Sequence, residues 1–315
     1  MIGSEPLRVV QRTLRDIEMD TIKSYRDGKT SSSNPNAAEL VQISKNLSTQ
    51  NCKPVTIGNV VVGGGDFAVI AGPCSIESQK QFSETAQFVK SQGASILRGG
   101  IWKLRTSADS FQGLGAESFN FIKEVCHELN MLLCSEVTDV RQIDLIDSIV
   151  GVYQVGSRNM HNYELLKELG KTKKPIVLKR GFAALVDEWI KAADYIVRGG
   201  NDQVVLCERG IRTFETSTRN TLDLNSVVYL KQYTQFPVIV DPSHAVGVRA
   251  LVPSLSLAAA AAGADGIIVE VHPRPEEAMS DGPQALTFQD FEILMKKTGA
   301  VLSALDKKIA RPICK

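Results

Sequence analysis

Eight short apolar, β-rich runs recur along the chain, each followed by a longer stretch with helical periodicity. The runs are 67–71, 95–98, 131–135, 152–155, 176–179, 203–207, 238–241 and 266–269. The helical patterns lie near 78–92, 116–129, 139–148, 161–169, 185–198, 221–233, 248–262 and 287–306. Strands alternating with helices define an α/β fold. Eight such pairs within roughly 250 residues match a closed (β/α)8 TIM barrel. A doubly wound open sheet is the competing arrangement, but the count of eight and the single-domain length favour the barrel. The barrel carries a sharp consequence: functional side chains should follow the strands directly, because the βα loops form the active face.

The first 55 residues stand apart. Leu7, Val10, Leu14 and Ile17 fall near helical spacing, so residues 6–26 are expected to form an amphipathic helix that ends at Asp27-Gly28. Residues 31–36 read as a linker, and 37–47 as a second short helix. Residues 55–62, followed by three glycines, look like a small hairpin. The expected division is an N-terminal extension over 1–55, acting as a cap or subunit contact, and a catalytic barrel over 56–315. The extension is too short for a dedicated regulatory domain, so no feedback inhibition through such a domain is expected. The Gly63–Gly65 run is no dinucleotide loop, since the next element is a strand rather than a helix.

Composition narrows the function. A net charge of +1 over 315 residues gives no support for a general nucleic-acid or membrane-surface role. No run of about 18 apolar residues is present, and the N-terminus lacks the apolar core of a signal peptide. Cys52, Cys74, Cys126, Cys134, Cys207 and Cys314 are scattered without metal-ribbon or disulfide spacing and read as reduced thiols. A cytoplasmic protein acting on small molecules is expected.

The strand ends bear out the phase of the barrel. Cys74 follows the first run; Arg98, Lys103 and Arg105 follow the second; Glu136 the third; Arg158 the fourth. Lys179 ends the fifth, Glu208, Arg209 and Arg212 follow the sixth, His244 the seventh, and Glu270 ends the eighth with Asp281 in the loop beyond. Taken singly, each has a plain structural explanation: a buried thiol, a hydrogen-bonded imidazole, a lone ion pair, a turn aspartate. In phase on one face they form two groups. Cys74, His244, Glu270 and Asp281 offer sulfur, nitrogen and oxygen donors that suit one divalent transition ion such as Mn, Fe, Co, Zn or Cu, and suit Mg poorly. Arg98, Lys103, Arg105, Arg158, Lys179, Arg209 and Arg212 would repel one another around an empty mouth, so they imply an anionic ligand with several charges. His127 and His161 fall in or beside helices, and His272 precedes a proline; none of the three is assigned a catalytic role.

At these residues the chain resembles the 3-deoxy-D-arabino-heptulosonate 7-phosphate (DAHP) synthases, in the smaller type I branch related to 3-deoxy-manno-octulosonate 8-phosphate (KDO8P) synthases. The resemblance covers about residues 55–305. It rests on Ala-Gly-Pro-Cys-Ser at 71–75, Leu-Arg-Gly-Gly at 97–100, Ser-Phe-Gln-Gly-Leu-Gly at 110–115, Leu-Lys-Arg-Gly at 178–181, Leu-Cys-Glu-Arg-Gly-Ile-Arg-Thr-Phe-Glu at 206–215, Val-Asp-Pro-Ser-His at 240–244, and Ile-Val-Glu-Val-His-Pro at 268–273 with Ser-Asp-Gly at 280–282. It implies condensation of phosphoenolpyruvate with erythrose 4-phosphate and water. It implies one divalent metal ion on Cys74, His244, Glu270 and Asp281, and phosphoenolpyruvate on Arg98, Lys103, Arg158, Lys179 and Arg209. Arg105, Thr106 and Ser107 would hold the aldose phosphate. Glu136, with Lys179, would relay protons near the attacking water, and His244 belongs to the same catalytic set. A homo-oligomer, dimer or tetramer, is the implied assembly. The product would feed the shikimate pathway or a dedicated secondary-metabolite branch.

Two departures bear on the acceptor. The family has Lys-Pro-Arg-Thr-Ser where this chain has Lys103-Leu-Arg-Thr-Ser, so a residue that fixes φ near −65° is replaced by a flexible one. Trp102 is bulkier than the usual occupant of its position. An acceptor pocket somewhat different from that of a housekeeping enzyme is expected. The alternatives are a KDO8P synthase using arabinose 5-phosphate and a non-catalytic barrel acting as a binding or regulatory partner.

Overall fold

The computed structural model describes residues 52–105 and 107–311. The expected helices over 6–26 and 37–47, the linker between them, Thr106 and Cys314 lie outside the described residues. A two-stranded antiparallel hairpin comes first: β1 (Val55–Ile57) and β2 (Val60–Val62), with Val55 opposite Val62. Eight parallel strands then close into a barrel: β3 (Ala68–Gly72), β4 (Ile96–Arg98), β5 (Leu133–Glu136), β6 (Val152–Val155), β7 (Ile176–Lys179), β8 (Val204–Glu208), β9 (Val238–Val240) and β10 (Gly266–Glu270). Neighbours in space follow chain order, and β10 pairs with β3 to complete the ring, Gly266 opposite Ala68. Gly266 carries no side chain because a Cβ there would stand 2.3 Å from the carbonyl oxygen of Ala68.

The helices between the strands are α1 (Gln79–Ser91), α2 (Phe119–Glu128), α3 (Ile143–Ile146), α4 (Tyr163–Lys171), α5 (Val186–Arg198), α6 (Leu224–Tyr233), a short α7 (Pro242–Val246), α8 (Val252–Ala261) and α9 (Phe288–Ala304). Local chemistry sets their starts. The side chains of Ser78, Asn162, Asp223 and Thr287 each accept a backbone N–H from the first turn. Several helices are shorter than their periodicity predicts. Residues 139–148 give only a 3-10 turn and α3. Residues 221–223 are taken by a bridge between Ile211 and Thr221 and by the Asp223 cap, so α6 starts at Leu224. Residues 242–251 form α7 and a 3-10 turn, separated by Gly247 at φ +68°, before α8 starts at Val252.

Alternation along the strands sorts the core into two parts. Val69, Leu97, Leu133, Tyr153, Leu178, Leu206, Val240 and Val269 pack outward against the helices. Ala68, Ile70, Ile96, Cys134, Val152, Val177, Val205, Cys207, Ile239 and Ile268 fill the barrel interior, together with Val55, Ile57, Val60 and Val62 of the hairpin. The hairpin therefore plugs the N-terminal end of the barrel with four buried aliphatic side chains. Burying one such side chain is worth about 1.5–3 kcal/mol. The opposite end is left for chemistry.

Candidate active site

The interior residues change character two positions up seven of the eight strands. Ile96 is followed by Arg98, Cys134 by Glu136, Val152 by Gln154, Val177 by Lys179, Cys207 by Arg209, Ile239 by Asp241 and Ile268 by Glu270. The period of two keeps all of these on the inner side, so an apolar floor carries a polar layer. Arg98, Lys179, Arg209, Asp241 and Glu270 are at most 4% exposed; four of them survive there as the ion pairs Arg98–Glu270 and Lys179–Asp241, and Arg209 by donating to the carbonyls of Gly210 and His244.

Cys74, His244, Glu270 and Asp281 offer ligand atoms that all lie within 4.8 Å of one another. Four loops or strand ends deliver them. His244 is aimed by its own motif: Asp241 caps α7, its Oδ1 accepting the His244 N–H at 3.0 Å, with Pro242 at the helix start. Asp241 Oδ2 also lies 2.7 Å from His244 Nδ1, off the line of a straight hydrogen bond. His244 Nε2 is 3.3 Å from Glu270 Oε1 and 3.8 Å from Asp281 Oδ2. The Cys74 thiol donates to Asp281 Oδ2 at 3.0 Å. Burial and then Glu270 push that thiol well above its ordinary pKa. Burial lowers His244 despite Asp241 and Glu270, which favours the neutral, ligating imidazole. Burial opposes ionisation of Asp281, but His244, Cys74, Lys103 and Arg219 hold it well below the usual carboxylate range. Glu270 Oε1 is fully buried and accepts no hydrogen bond. A neutral imidazole, an ionised aspartate, a buried carboxylate oxygen that accepts no hydrogen bond and a thiol that would ionise only beside a cation fit one divalent ion, and the sulfur disfavours magnesium.

Next to this cluster opens a cavity of about 330 Å³ lined by Arg98, Lys103, Leu104, Arg105, Ser107, Glu136, Gln154, Arg158, Lys179, Phe182, Arg209, Arg219, His244 and Asp281. Every described residue expected to bind substrate is on that wall. The repulsion among the cations is relieved in two ways. Arg98 Nη2 meets Glu270 Oε1 at 3.1 Å, and Lys179 Nζ donates to Asp241 Oδ2 at 2.5 Å. The guanidiniums of Arg158, Arg209 and Arg212 lie 5.7, 4.9 and 5.0 Å from the centre of one ring, that of Phe182. Arg98 keeps two buried donors, Nε and Nη1, with no acceptor, as a site for an anion requires. Burial works against the charge on Lys103, yet Cys74, Glu136 and Glu270 hold its pKa above the ordinary value. The Glu136 carboxylate reaches the cavity by lying over Gly156, where a Cβ would stand 2.1 Å from Oε1.

Several residues here are given no role by the sequence reading. Asp241 links Lys179 to His244, Phe182 gathers three arginines, and Gln154 and Arg219 line the wall. Arg180 turns away from the cavity and donates from Nη1 to Glu208 Oε2 at 3.0 Å and to Asp223 Oδ2 at 2.9 Å, so Glu208 serves the scaffold. His272 also serves the scaffold: its Nε2 lies 3.3 Å from Glu77 Oε2, and its Nδ1 accepts the Arg274 N–H.

A closed eight-stranded barrel with a four-donor cluster and a cationic cavity on its C-terminal face defines a (β/α)8 enzyme for phosphorylated or carboxylated small molecules. The chain belongs to the DAHP synthetase I family, whose profile matches residues 41–304, and DAHP synthase activity, an aldol-type condensation, comes with that membership. A phospho-2-dehydro-3-deoxyheptonate aldolase of Thermotoga maritima is 44% identical over 255 residues, covering 81% of this chain and 75% of that protein. The crystal structure of a DAHP synthase from the same organism superposes with a TM-score of 0.79 at 42% identity, over 82% of this chain and 75% of the other. A 2-dehydro-3-deoxyphosphooctonate aldolase of Geobacter sulfurreducens is a more distant relative, 29% identical over 79% of this chain and 97% of its own length.

Proposed function

We propose that the chain joins phosphoenolpyruvate to erythrose 4-phosphate at this cavity, with each described residue in the role its position supports. C3 of phosphoenolpyruvate bonds to the aldehyde carbon, water adds at C2, and inorganic phosphate leaves. The observation that carries this reading is the contact between the four-donor cluster and the cationic wall, through Arg98 and Glu270 at 3.1 Å.

Arg98, Lys103, Arg158, Lys179 and Arg209 hold the phosphate and carboxylate of phosphoenolpyruvate and fix the direction of C3. Their charge also stabilises the departing phosphate. Arg105 and Ser107, with Thr106 between them in sequence, take the phosphate of the aldose. Glu136, which also lines the cavity, handles the proton of the attacking water. Lys179 is held by Asp241, which supports an anion-binding role for it. A divalent ion on Cys74, His244, Glu270 and Asp281, of the Mn, Fe, Co or Zn type, would polarise the aldehyde carbonyl.

The same reading makes the chain a homo-oligomeric cytoplasmic enzyme at the entry to the shikimate pathway. No helix among the described residues is long and apolar enough to cross a membrane, and Cys52, Cys74, Cys126, Cys134 and Cys207 are all unpaired, as a reducing compartment allows. Phosphate release from phosphoenolpyruvate, measured with erythrose 4-phosphate or arabinose 5-phosphate as acceptor, tests the reaction. Faster release with the pentose would move the chain to the octulosonate reaction, and no release with either would leave a binding role.

A further inference from the structure

The two oxygens of Glu270 keep different company. Oε2 accepts from Gln284 Nε2 at 2.7 Å. Oε1 accepts no hydrogen bond, is ion-paired with Arg98 Nη2 at 3.1 Å and faces the four-donor cluster, 3.3 Å from His244 Nε2. Gln284 is 2% exposed and ends the 3-10 turn Gly282–Gln284, directly after Asp281. Its own amide orientation is set from the other side, because Oε1 of Gln284 accepts from Arg219 Nη1 at 2.9 Å. Arg219 also lies 3.7 Å from Asp281 Oδ1 and lines the cavity. It is brought there by the connection between β8 and α6, pinned to α7 by Arg219 N–H to Val246 O and Asn220 N–H to Ala245 O.

We infer that Gln284 is a positioning residue that makes Glu270 a one-oxygen metal ligand through Oε1, and that Arg219 locks the Gln284 amide in the orientation this requires. The inference rests on the metal site proposed above. A carboxylate with both oxygens free can chelate an ion or rotate; one whose Oε2 is tied to a buried amide presents a single oxygen. The amide has only one workable orientation, since flipping it would set its oxygen against Glu270 Oε2 and its NH2 against the Arg219 guanidinium. Arg219 thereby connects the wall of the anion cavity to two of the four ligands.

Titration of chelator-treated protein with Co2+, followed by absorption and calorimetry, tests this. Wild-type protein should bind one Co2+ with a near-ultraviolet thiolate-to-metal band from Cys74. Gln284→Met, which fills the same volume without polar atoms, should bind about tenfold or more weakly. Its visible ligand-field absorption should fall as Oε2 becomes free to join the coordination sphere. Arg219→Ala should shift both readouts the same way by a smaller factor, with an unchanged thermal midpoint. That variant decides the question alone if Gln284→Met does not fold. Wild-type affinity and spectrum in the folded variants would overturn the inference while leaving the metal site intact. Failure of the wild-type protein to bind Co2+ would instead remove the metal site itself.

Discussion

The ammonium of Lys179 and the carboxylate of Asp241 form a buried ion pair, Nζ to Oδ2 2.5 Å, at the top of the barrel. The same Oδ2 lies 2.7 Å from His244 Nδ1, while Oδ1 caps α7. One carboxylate thus orients a lysine of the cavity wall, a histidine of the four-donor cluster and the helix that carries it. Burial alone would favour protonated Asp241; His244, Lys179 and Arg98 hold it well below the ordinary range.

Asp241→Asn separates these duties, because asparagine still caps the helix. The variant leaves the buried Lys179 without its counter-charge and His244 without the carboxylate beside its Nδ1. Metal affinity should fall about 10- to 100-fold, as for other groups that orient a ligating histidine, and kcat should fall with it. Asp241→Ala should cost roughly a further 1 kcal/mol of stability from the lost cap. Calorimetric metal titration and thermal melts of both variants check this; unchanged metal binding in Asp241→Asn would refute the orienting role.

Phe182 sets the spacing of three arginines that would otherwise repel, with Arg209 closest at 4.9 Å. The loops are also joined by the Arg212 N–H to Phe182 O bond at 2.7 Å, which a side-chain change leaves in place. Each exposed cation–π contact is worth about 0.5–1 kcal/mol, so Phe182→Leu should raise KM for phosphoenolpyruvate by up to roughly tenfold. The kcat at saturation should change much less. Steady-state kinetics with the aldose saturating make the comparison, and a fall in kcat at constant KM would place Phe182 in the chemistry instead.

The period-two alternation explains how much of this site is legible before any coordinates. Ile96 to Arg98, Val177 to Lys179 and Ile268 to Glu270 are each two steps along one strand, so the inner face and its charged rim follow from sequence. The four-donor cluster is readable because its members are chemically unusual and in phase with the strands. Gln154 shares that geometry but carries no charge, and Phe182 lies in the turn beyond β7, so nothing in their type marks them. Asp241 is visible as part of a motif, but its contact with Lys179 joins β9 to β7 and has no sequence period. Arg219 lies in an aperiodic connection whose path depends on backbone bonds to α7, far along the chain. Five of the seven expected cations are likewise accommodated only in three dimensions, by two carboxylates and one aromatic ring.

Metal dependence has a direct check. Exhaustive chelation should abolish phosphate release, and Mn2+ or Co2+ should restore it. Cys74→Ala should lose at least about tenfold in metal affinity, since the site keeps only three donors. Activity that survives chelation, or a metal-free active Cys74→Ala, would contradict the assignment of these four residues.

Leu104 is one of the two positions where a departure from the family pattern is expected, and the structure shows what surrounds it. Its side chain is 39% exposed at the cavity rim, and its carbonyl accepts from Arg158 Nη1 at 3.4 Å. Leu104→Pro keeps that carbonyl, and the residue makes no backbone N–H hydrogen bond among those described, so proline removes no observed contact. Proline at a compatible position stabilises by about 0.4–1 kcal/mol through the unfolded chain, and here it would also narrow the positions open to Arg105 and Ser107. The variant should therefore lower KM for erythrose 4-phosphate a few-fold, with KM for phosphoenolpyruvate unchanged. Parallel kinetics with arabinose 5-phosphate complete the test, because a loop that admits larger acceptors through its flexibility should lose activity toward the pentose when stiffened. If Leu104→Pro changes neither acceptor's kcat/KM, the leucine is a neutral replacement and acceptor choice is set elsewhere on the wall.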